Sequence, residues 1–208
     1  MGVIWAPVGL IMKKFLAILI LIFTLQTPSQ ADDIRDFQIE GMSLGDSILK
    51  YYDKDIIDKR IKYWPGSKKH AYFFDNDFEI SEIYEGLHLI HLSNDSNYII
   101  KGIAAGILYR NDPINKCYDK QAEIFEELKP LFPNAKIKKD EKEKHRSDDS
   151  GKSTYTNIYF RFDNGDTVAI GCYDWSEKMH EEKGWIDHLR ISIYDNDHRI
   201  FLQTEAFK

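Results

Sequence analysis

The chain has 208 residues, with 34 Asp and Glu against 28 Lys and Arg, so its formal net charge at pH 7 is −6. This acidic balance argues against binding to nucleic acid or to an anionic membrane surface, since both require clustered positive charge. The 12 Tyr and 12 Phe, set against only 6 Pro, also argue against a disordered chain.

The first 31 residues have the pattern of a secretory signal peptide. Lys13 and Lys14 precede an apolar run from 15 to 23, and a polar segment with small residues follows up to Ala31. A basic region, a short apolar core and a small-residue exit are typical of such signals and predict cleavage after Ala31. Residues 1–11 form an upstream extension, which leaves open whether translation starts at Met1 or at Met12.

A membrane anchor is the alternative for this segment. A spanning helix needs about 20 apolar residues, and the run is much shorter. Removing 31 residues, among them two lysines and no acid, leaves 177 residues with a net charge of −8. We therefore expect residues 32–208 to form one exported domain, periplasmic or secreted, with no stable membrane span after cleavage.

The first half of the exported chain is predicted to contain two helices followed by strands. Ser43 can cap the first helix and Asp53 the second. Beyond residue 66 the apolar residues alternate with a period of two, which predicts strands over 72–74, 83–92 and 98–110. Gly102, Ala104 and Gly106 share one strand face, where small residues allow close packing, most simply by a helix.

The second half opens with the strongest predicted helix. Its apolar stripe starts after Asp112-Pro113 and ends near 132. The charged residues 139–153 are expected to form a mobile loop, followed by strands 154–162 and 167–175. Alternation favours a three-residue hairpin loop with Gly165 in the left-handed region and Phe162 opposite Val168. A strand over 189–193 and an amphipathic tail element complete the chain.

The two cysteines are predicted to form a disulfide. Cys117 lies on the apolar stripe of the helix, and Cys172 shares the apolar face of its strand. An isolated cysteine pair in an exported chain is typical of a disulfide, which here would tie the helix to the sheet. Across about 55 residues, the chain-entropy model gives a stabilisation of roughly 3–4 kcal/mol.

These elements predict an α+β fold, with helices packed on an antiparallel sheet. Their order is a helical segment, three strands, the strong helix that follows Asp112-Pro113, and at least three more strands. The order suggests a loose duplication of a helix-plus-three-strand unit, although no matching residues relate the two halves.

The sequence predicts no metal site and no cofactor. His88 and His91 are three residues apart on a strand, so they point to opposite faces. The carboxylates from Asp75 begin like an EF-hand loop, but Ile80 and Gly86 occupy its glycine and bidentate-glutamate positions. No catalytic motif is found, which leaves catalytic residues unassigned.

One constellation at the end of the strand after Cys172 is a candidate binding site. Strand ends and the loops that follow them often carry function. The residues are Tyr173, Asp174, Trp175, Asp187 and His188. They predict an aromatic and acidic patch for a ligand or partner. The alternative is a rim of aromatic side chains that closes the core, with Asp187 solvating His188.

Two segments carry resemblances. The residues from Phe37 to Ser47, and again from Cys172 to Ser176, resemble a family of small exported bacterial proteins with no assigned activity, which implies location. The Gly41-Met42-Ser43 entry is similar to that of β-lactamase-inhibitory-protein and outer-membrane-assembly-lipoprotein folds. That likeness implies helices on an antiparallel sheet and a function in binding proteins. No cysteine lies near the cleavage site, which departs from the lipoproteins.

Three functional hypotheses follow. The first is an exported protein-binding module whose partner is a protein of the cell envelope. The second is a hydrolase acting on an envelope polymer, with Asp174, Asp187 or a histidine as acid or base. The third is a small-ligand carrier, which requires an apolar cavity.

Overall fold

The computed structural model describes residues 34–76 and 81–208. The predicted signal peptide, its cleavage after Ala31 and the extension before it lie outside the described residues. Within those ranges, no helix has the length and apolar character needed to cross a membrane.

An antiparallel sheet of nine strands dominates the described part of the chain. The strands are β1 (Ile61–Tyr63), β2 (His70–Asp75), β3 (Gly86–Leu92), β4 (Gly102–Leu108), β5 (Lys136–Lys139), β6 (Glu143–Lys144), β7 (Thr154–Arg161), β8 (Thr167–Asp174) and β9 (His188–Tyr194). Their order is β1-β2-β3-β4-β9-β8-β7-β5, and β6 pairs with β7. The predicted mixture of helices with an antiparallel sheet is confirmed, with the sheet the larger part.

In the same described ranges, four α-helices accompany the sheet. They are α1 (Lys54–Arg60), α2 (Asn115–Leu128), α3 (Glu177–Lys183) and α4 (Asn196–Thr204). Ser43 does not cap a helix; the Ser47 side chain instead accepts from the backbone N–H of Leu49 and caps a short 3₁₀ turn. The strand predicted from 98 begins at Gly102, because Tyr98 has a φ of 50°, outside the range that strands adopt.

The core lies on the face of the sheet that α2 covers. Ile124, Phe125 and Leu128 of α2 are buried there, and the ring of Phe125 stacks on Phe160 of β7 at 5.6 Å. The predicted Cys117–Cys172 disulfide is present, with both residues fully buried and their Cα atoms 6.0 Å apart. It ties α2 to β8, and a disulfide is typical of an oxidising, exported compartment.

The β7–β8 hairpin confirms the predicted turn and corrects its register. Gly165 has a φ of 91°. The backbone N–H of Phe162 donates to the carbonyl of Asp166, and the carbonyl of Phe162 accepts from the N–H of Gly165, which closes a three-residue loop. Phe160 pairs with Val168, however, so the strands are shifted by two residues from the prediction. A shift of two keeps every side chain on its face, so alternation cannot detect it.

The charged segment 139–153 is less irregular than its composition indicates. β5 pairs with β7 through Lys139 and Ile158, and β6 pairs with the same strand through Lys144 and Thr154. These strands place their side chains in solvent, so they lack the apolar alternation by which strands are recognised.

Candidate functional site

The face of the sheet opposite α2 is not covered by that helix, and we call it the open face. Alternation assigns to it every second residue of the long strands. These are 155–161 of β7, 167–173 of β8, 188–194 of β9, 102–108 of β4, 86–92 of β3 and 70–74 of β2, taken in steps of two.

Small residues form the floor of the open face. We expected Gly102, Ala104 and Gly106 to receive a helix, but this expectation is wrong. The nearest atoms to a Cβ built at Gly102 belong to Ile90, Tyr194 and the backbone of β9, and at Gly106 only a backbone oxygen lies within 4 Å. Neighbouring side chains thus fill the space at Gly102, whereas the missing side chain at Gly106 leaves a trough between β3 and β9.

Helix α4 covers only one end of this face. Its Phe201 is fully buried against His70, with ring centroids 4.3 Å apart, and His198 lies 5.0 Å from the same ring. Trp64 packs on both α4 residues from the β1–β2 connection. The cover rests on β2 and the end of β9, and past the end of α4 the ring of Phe207 contacts Arg146 in the loop at the opposite end of the face.

At that opposite end, aromatic rings form a row across three strands. Tyr155, Tyr173 and His188 are register partners in β7, β8 and β9. The ring of Tyr173 stacks on His188 at 4.7 Å with an interplanar angle of 9°, and Tyr155 lies 6.0 Å away on the other side. Cross-strand aromatic pairs of this kind stabilise a sheet. The central ring of Tyr173 is buried between its neighbours, whereas Tyr155 and His188 at the two ends of the row are partly exposed.

Two loops extend the row above the sheet. His145, between β6 and β7, contacts Trp175 at 4.4 Å, and Trp175 contacts Trp185 at the same distance. Ser176 caps α3 and Gly184, with a φ of 66°, ends it, so the helix returns the chain to place Trp185 beside Trp175. The Trp175 indole nitrogen is buried and has no hydrogen-bond partner within the described ranges.

A buried carboxylate holds the His145 loop in place. Asp148 accepts hydrogen bonds from the backbone N–H groups of Ser150 and Ser153 and from the hydroxyls of Ser153 and Ser176, the last at 2.8 Å. The Ser153 and Ser150 side-chain bonds hold the pKa of Asp148 well below its usual range. The same serine that caps α3 therefore also anchors the loop that carries His145.

Arg190 lies near the centre of the open face. It donates to the Tyr173 hydroxyl, and its guanidinium lies 4.3 Å from the centre of that ring. Desolvation, and after it the charge of Arg190, lowers the pKa of His88 to about 3 and that of His145 to about 4. Both histidines are therefore neutral at pH 7, and the arginine is the charged group among them.

The predicted site residues separate into three groups. Tyr173, Trp175 and His188 lie together at the open face, as described. Asp187 accepts from the backbone N–H of Trp175 at 2.7 Å and lies 3.2 Å from the Nε2 atom of His180. It does not solvate His188, whose Nδ1 atom instead lies 2.8 Å from the carbonyl of Ile186.

Asp174 is on the other side of the sheet. Its carboxylate binds the Lys142 ammonium at 2.9 Å and accepts from the Thr154 hydroxyl at 3.3 Å. Because Tyr173 points to the open face, Asp174 points away from it. Asp174 and His188, which are both acid–base candidates under the hydrolase hypothesis, are thus not brought together.

Other chemistry has little support in the described ranges. They hold no group of three or more His, Cys, Asp or Glu side chains placed to bind a metal ion. A depression of about 340 Å³ lies between β4 and α2 and is open to solvent. It is lined by Ile107, Tyr109, Lys116, Asp119, Lys120 and Glu123. Four of its six lining residues are charged, so it is not the apolar chamber that a carrier of apolar ligands requires.

Arg190 and the tyrosines of β7 were not among the site residues predicted from the sequence. A signal was present, because His188, Arg190, Ser192 and Tyr194 occupy alternate positions of a strand whose other residues are apolar. That pattern distinguishes the solvent side of a strand from its core side. It does not show that several strands pool such residues on one face, since that depends on the strand order.

The fold and this face define an α+β protein with one sheet face covered by a helix and the other lined by aromatic rings and arginine. Comparison of the chain with protein-family models, with curated proteins and with solved structures found no match.

Proposed function

We propose that this protein is an exported protein-binding module that binds its partner through the open face. The observation that carries the proposal is the aromatic row from Tyr155 to His188, continued by Trp175 and Trp185. Tyrosine, tryptophan and arginine are the residues that dominate protein–protein contacts, because each offers a large amphipathic surface.

The surroundings of the row support a binding surface rather than a core. Trp185 is 36% exposed, and Trp175, His188 and Arg190 are partly exposed although they lie among other rings. The disulfide supports an exported location, where an envelope protein would be the partner.

The strand order supports a further part of the proposal, a duplicated origin. The first four strands form one run in the sheet, and β9, β8, β7 and β5 form a second run in reverse order. The two runs meet at β4 and β9, and each follows a helical segment. Two related units would together supply one continuous face, wide enough for a partner protein.

Site-specific photo-crosslinking in intact cells tests the proposal. A photoreactive phenylalanine analogue replaces Tyr159 or Tyr155 on the open face, and Glu126 on α2 serves as the control position. We expect one partner protein to be crosslinked from both open-face positions and not from α2. Equal crosslinking from all three positions, or none from any of them, would contradict binding through this face.

A further inference from the structure

The open face has a charge opposite to that of the whole chain. The chain carries 34 Asp and Glu, but every second residue of β2, β3, β4, β7, β8 and β9 on this face is neutral or basic. Arg190 and Arg161 are the basic ones apart from the histidines. Carboxylates reach this face from its edge, where Glu143 accepts from the Tyr155 hydroxyl at 2.7 Å and Asp187 accepts from the backbone N–H of Trp175. The strand positions around Arg190 carry none, so the local charge that they present to an approaching partner is positive.

Arg190 has no carboxylate partner among residues 34–76 and 81–208. Its described contacts are the Tyr173 hydroxyl and ring, and its neighbours His88 and His188 have pKa values lowered to about 3 and about 4. Both histidines are therefore neutral at pH 7 and do not compensate the charge of the arginine. A partly desolvated guanidinium loses hydration and recovers most by a bidentate bond to a carboxylate.

Two further arginines flank it. Arg161 stacks over Tyr159 at 5.2 Å, and its buried Nε atom has no hydrogen-bond partner in the described part of the chain. Arg146 lies over the ring of Phe207 at 4.7 Å. Burial raises the pKa of Tyr194 to about 12, and the charges of Arg190 and Arg161 oppose this shift. Burial lowers the pKa of His145 to about 4, and Arg190 and Arg146 add to that shift, so the three charges act on shared neighbours.

The trough beside Arg190 can admit a side chain. Gly106 of β4 is the register partner of Arg190, and Ala104 is the partner of His88. Since neither small residue fills the space above the strand, the guanidinium can be approached from the His88 side. The opposite side is occupied by Tyr173.

We infer that the open face binds an acidic segment of its partner protein, with an Asp or Glu carboxylate at Arg190 and apolar neighbours against Tyr155 and Tyr159. The inference rests on the proposed function and names the chemistry of the partner. A protein segment fits better than nucleic acid, because aromatic rings outnumber the three arginines and the chain is acidic overall.

Selection from a display library of random twelve-residue peptides on the purified, immobilised protein tests this chemistry. We expect enrichment of peptides with Asp or Glu beside aromatic or aliphatic residues. Arg190→Gln should weaken binding of a selected peptide by roughly 30-fold or more, and Arg190→Lys by less, since lysine keeps the charge but loses the bidentate geometry. Arg146→Gln, on a surface loop, should weaken binding several-fold without affecting the fold.

The matched control is the double variant Lys59→Gln and Lys129→Gln. It removes two positive charges from helices α1 and α2, on the covered side, and should leave peptide affinity unchanged. If it weakens binding as much as Arg190→Gln does, the effect is one of net charge and the inference is wrong.

The remaining outcomes separate the inference from the proposed function. Selected peptides without acidic residues that still bind Arg190→Gln, yet lose binding to Ala104→Arg, would overturn the carboxylate inference and keep the open face as a binding surface. Peptides unaffected by Ala104→Arg would overturn both. Full displacement by millimolar inorganic phosphate would identify a small anion as the ligand, and dimers abolished by Ala104→Arg would identify a second copy; either overturns the inference.

Discussion

The buried histidine pair beneath α4 predicts that the protein loses stability in acid. His70 and His198 are 0% and 2% exposed, and their rings lie 5.0 Å apart. The Nδ1 atom of each lacks a hydrogen-bond partner in the described ranges. Desolvation lowers the pKa of both, that of His198 to about 3, although Asp197 lies 3.6 Å from His70 and opposes the shift there.

The magnitude follows from the shift at His198. The pKa of His198 falls from 6.5 in the unfolded chain to about 3 in the fold. Above pH 7 neither state binds the proton, and the free energy of unfolding is at its full value. As the pH falls below 6.5, only the unfolded chain binds the proton, and the free energy of unfolding decreases. At pH 4.5 the unfolded chain binds this proton and the folded one does not. The cost is about 2–3 kcal/mol, a large part of the stability of an ordinary domain.

Replacing His198 by leucine should remove this part of the acid dependence. The packing change is the same at both pH values, so it cancels when each variant is compared with itself at pH 7 and pH 4.5. Urea unfolding followed by tryptophan fluorescence should show that the wild type loses about 2–3 kcal/mol more than His198→Leu between these values. Phe201→Leu, beside the same rings, changes packing without removing a titrating group and should follow the wild type. Equal losses in wild type and His198→Leu would refute the reasoning.

Three further predictions concern other parts of the fold. Replacing Cys117 and Cys172 by alanine should lower the free energy of unfolding by about 4 kcal/mol, because a 55-residue link is removed from the unfolded chain; a loss under about 1 kcal/mol, or free thiols in the unreduced protein, would contradict it. Asp148→Asn should speed tryptic cleavage of the 145–153 loop roughly tenfold by weakening its anchoring hydrogen bonds, whereas Asp149→Asn should not. Arg190→Met should leave the free energy of unfolding within about 1 kcal/mol of the wild-type value or raise it, since a cation without a carboxylate partner is replaced by an apolar side chain. A loss above about 3 kcal/mol would show that the arginine is needed for folding.

Elements whose apolar residues point to one core were predictable from the sequence. The stripe of α2 and the alternation of β8 placed Cys117 and Cys172 on facing surfaces, and the disulfide follows from these two patterns. β9 and an amphipathic element in the tail were predicted for the same reason, and the structure shows the tail element to be the helix α4. In each case a period of 3.6 or 2.0 residues determines which side chains are buried.

The sequence predictions were wrong for features that the pattern of buried apolar residues does not determine. β5 and β6 have exposed side chains, so their pairing with β7 left no apolar signal. The register of the β7–β8 hairpin was missed by two residues because such a shift preserves every face, and the turn from Asp163 to Asp166 decides it. The order β4-β9-β8 brings together residues far apart in sequence, and no local pattern encodes this.

The two faces of the sheet have different physical roles. On the covered face, large apolar side chains such as Phe73, Phe132 and Phe160 are fully buried and account for the folding of the chain. The open face carries an arginine without a carboxylate, an unbonded buried indole nitrogen at Trp175 and a trough over Gly106. Buried polar groups are normally satisfied within a fold, and unsatisfied ones lower its stability. In the described ranges such groups occur on both sides, since His91 and Tyr118 on the covered side also hold unbonded atoms. What distinguishes the open face is that Arg161 and Trp175 add theirs to a partly exposed aromatic row, which is why we propose this face as the binding surface.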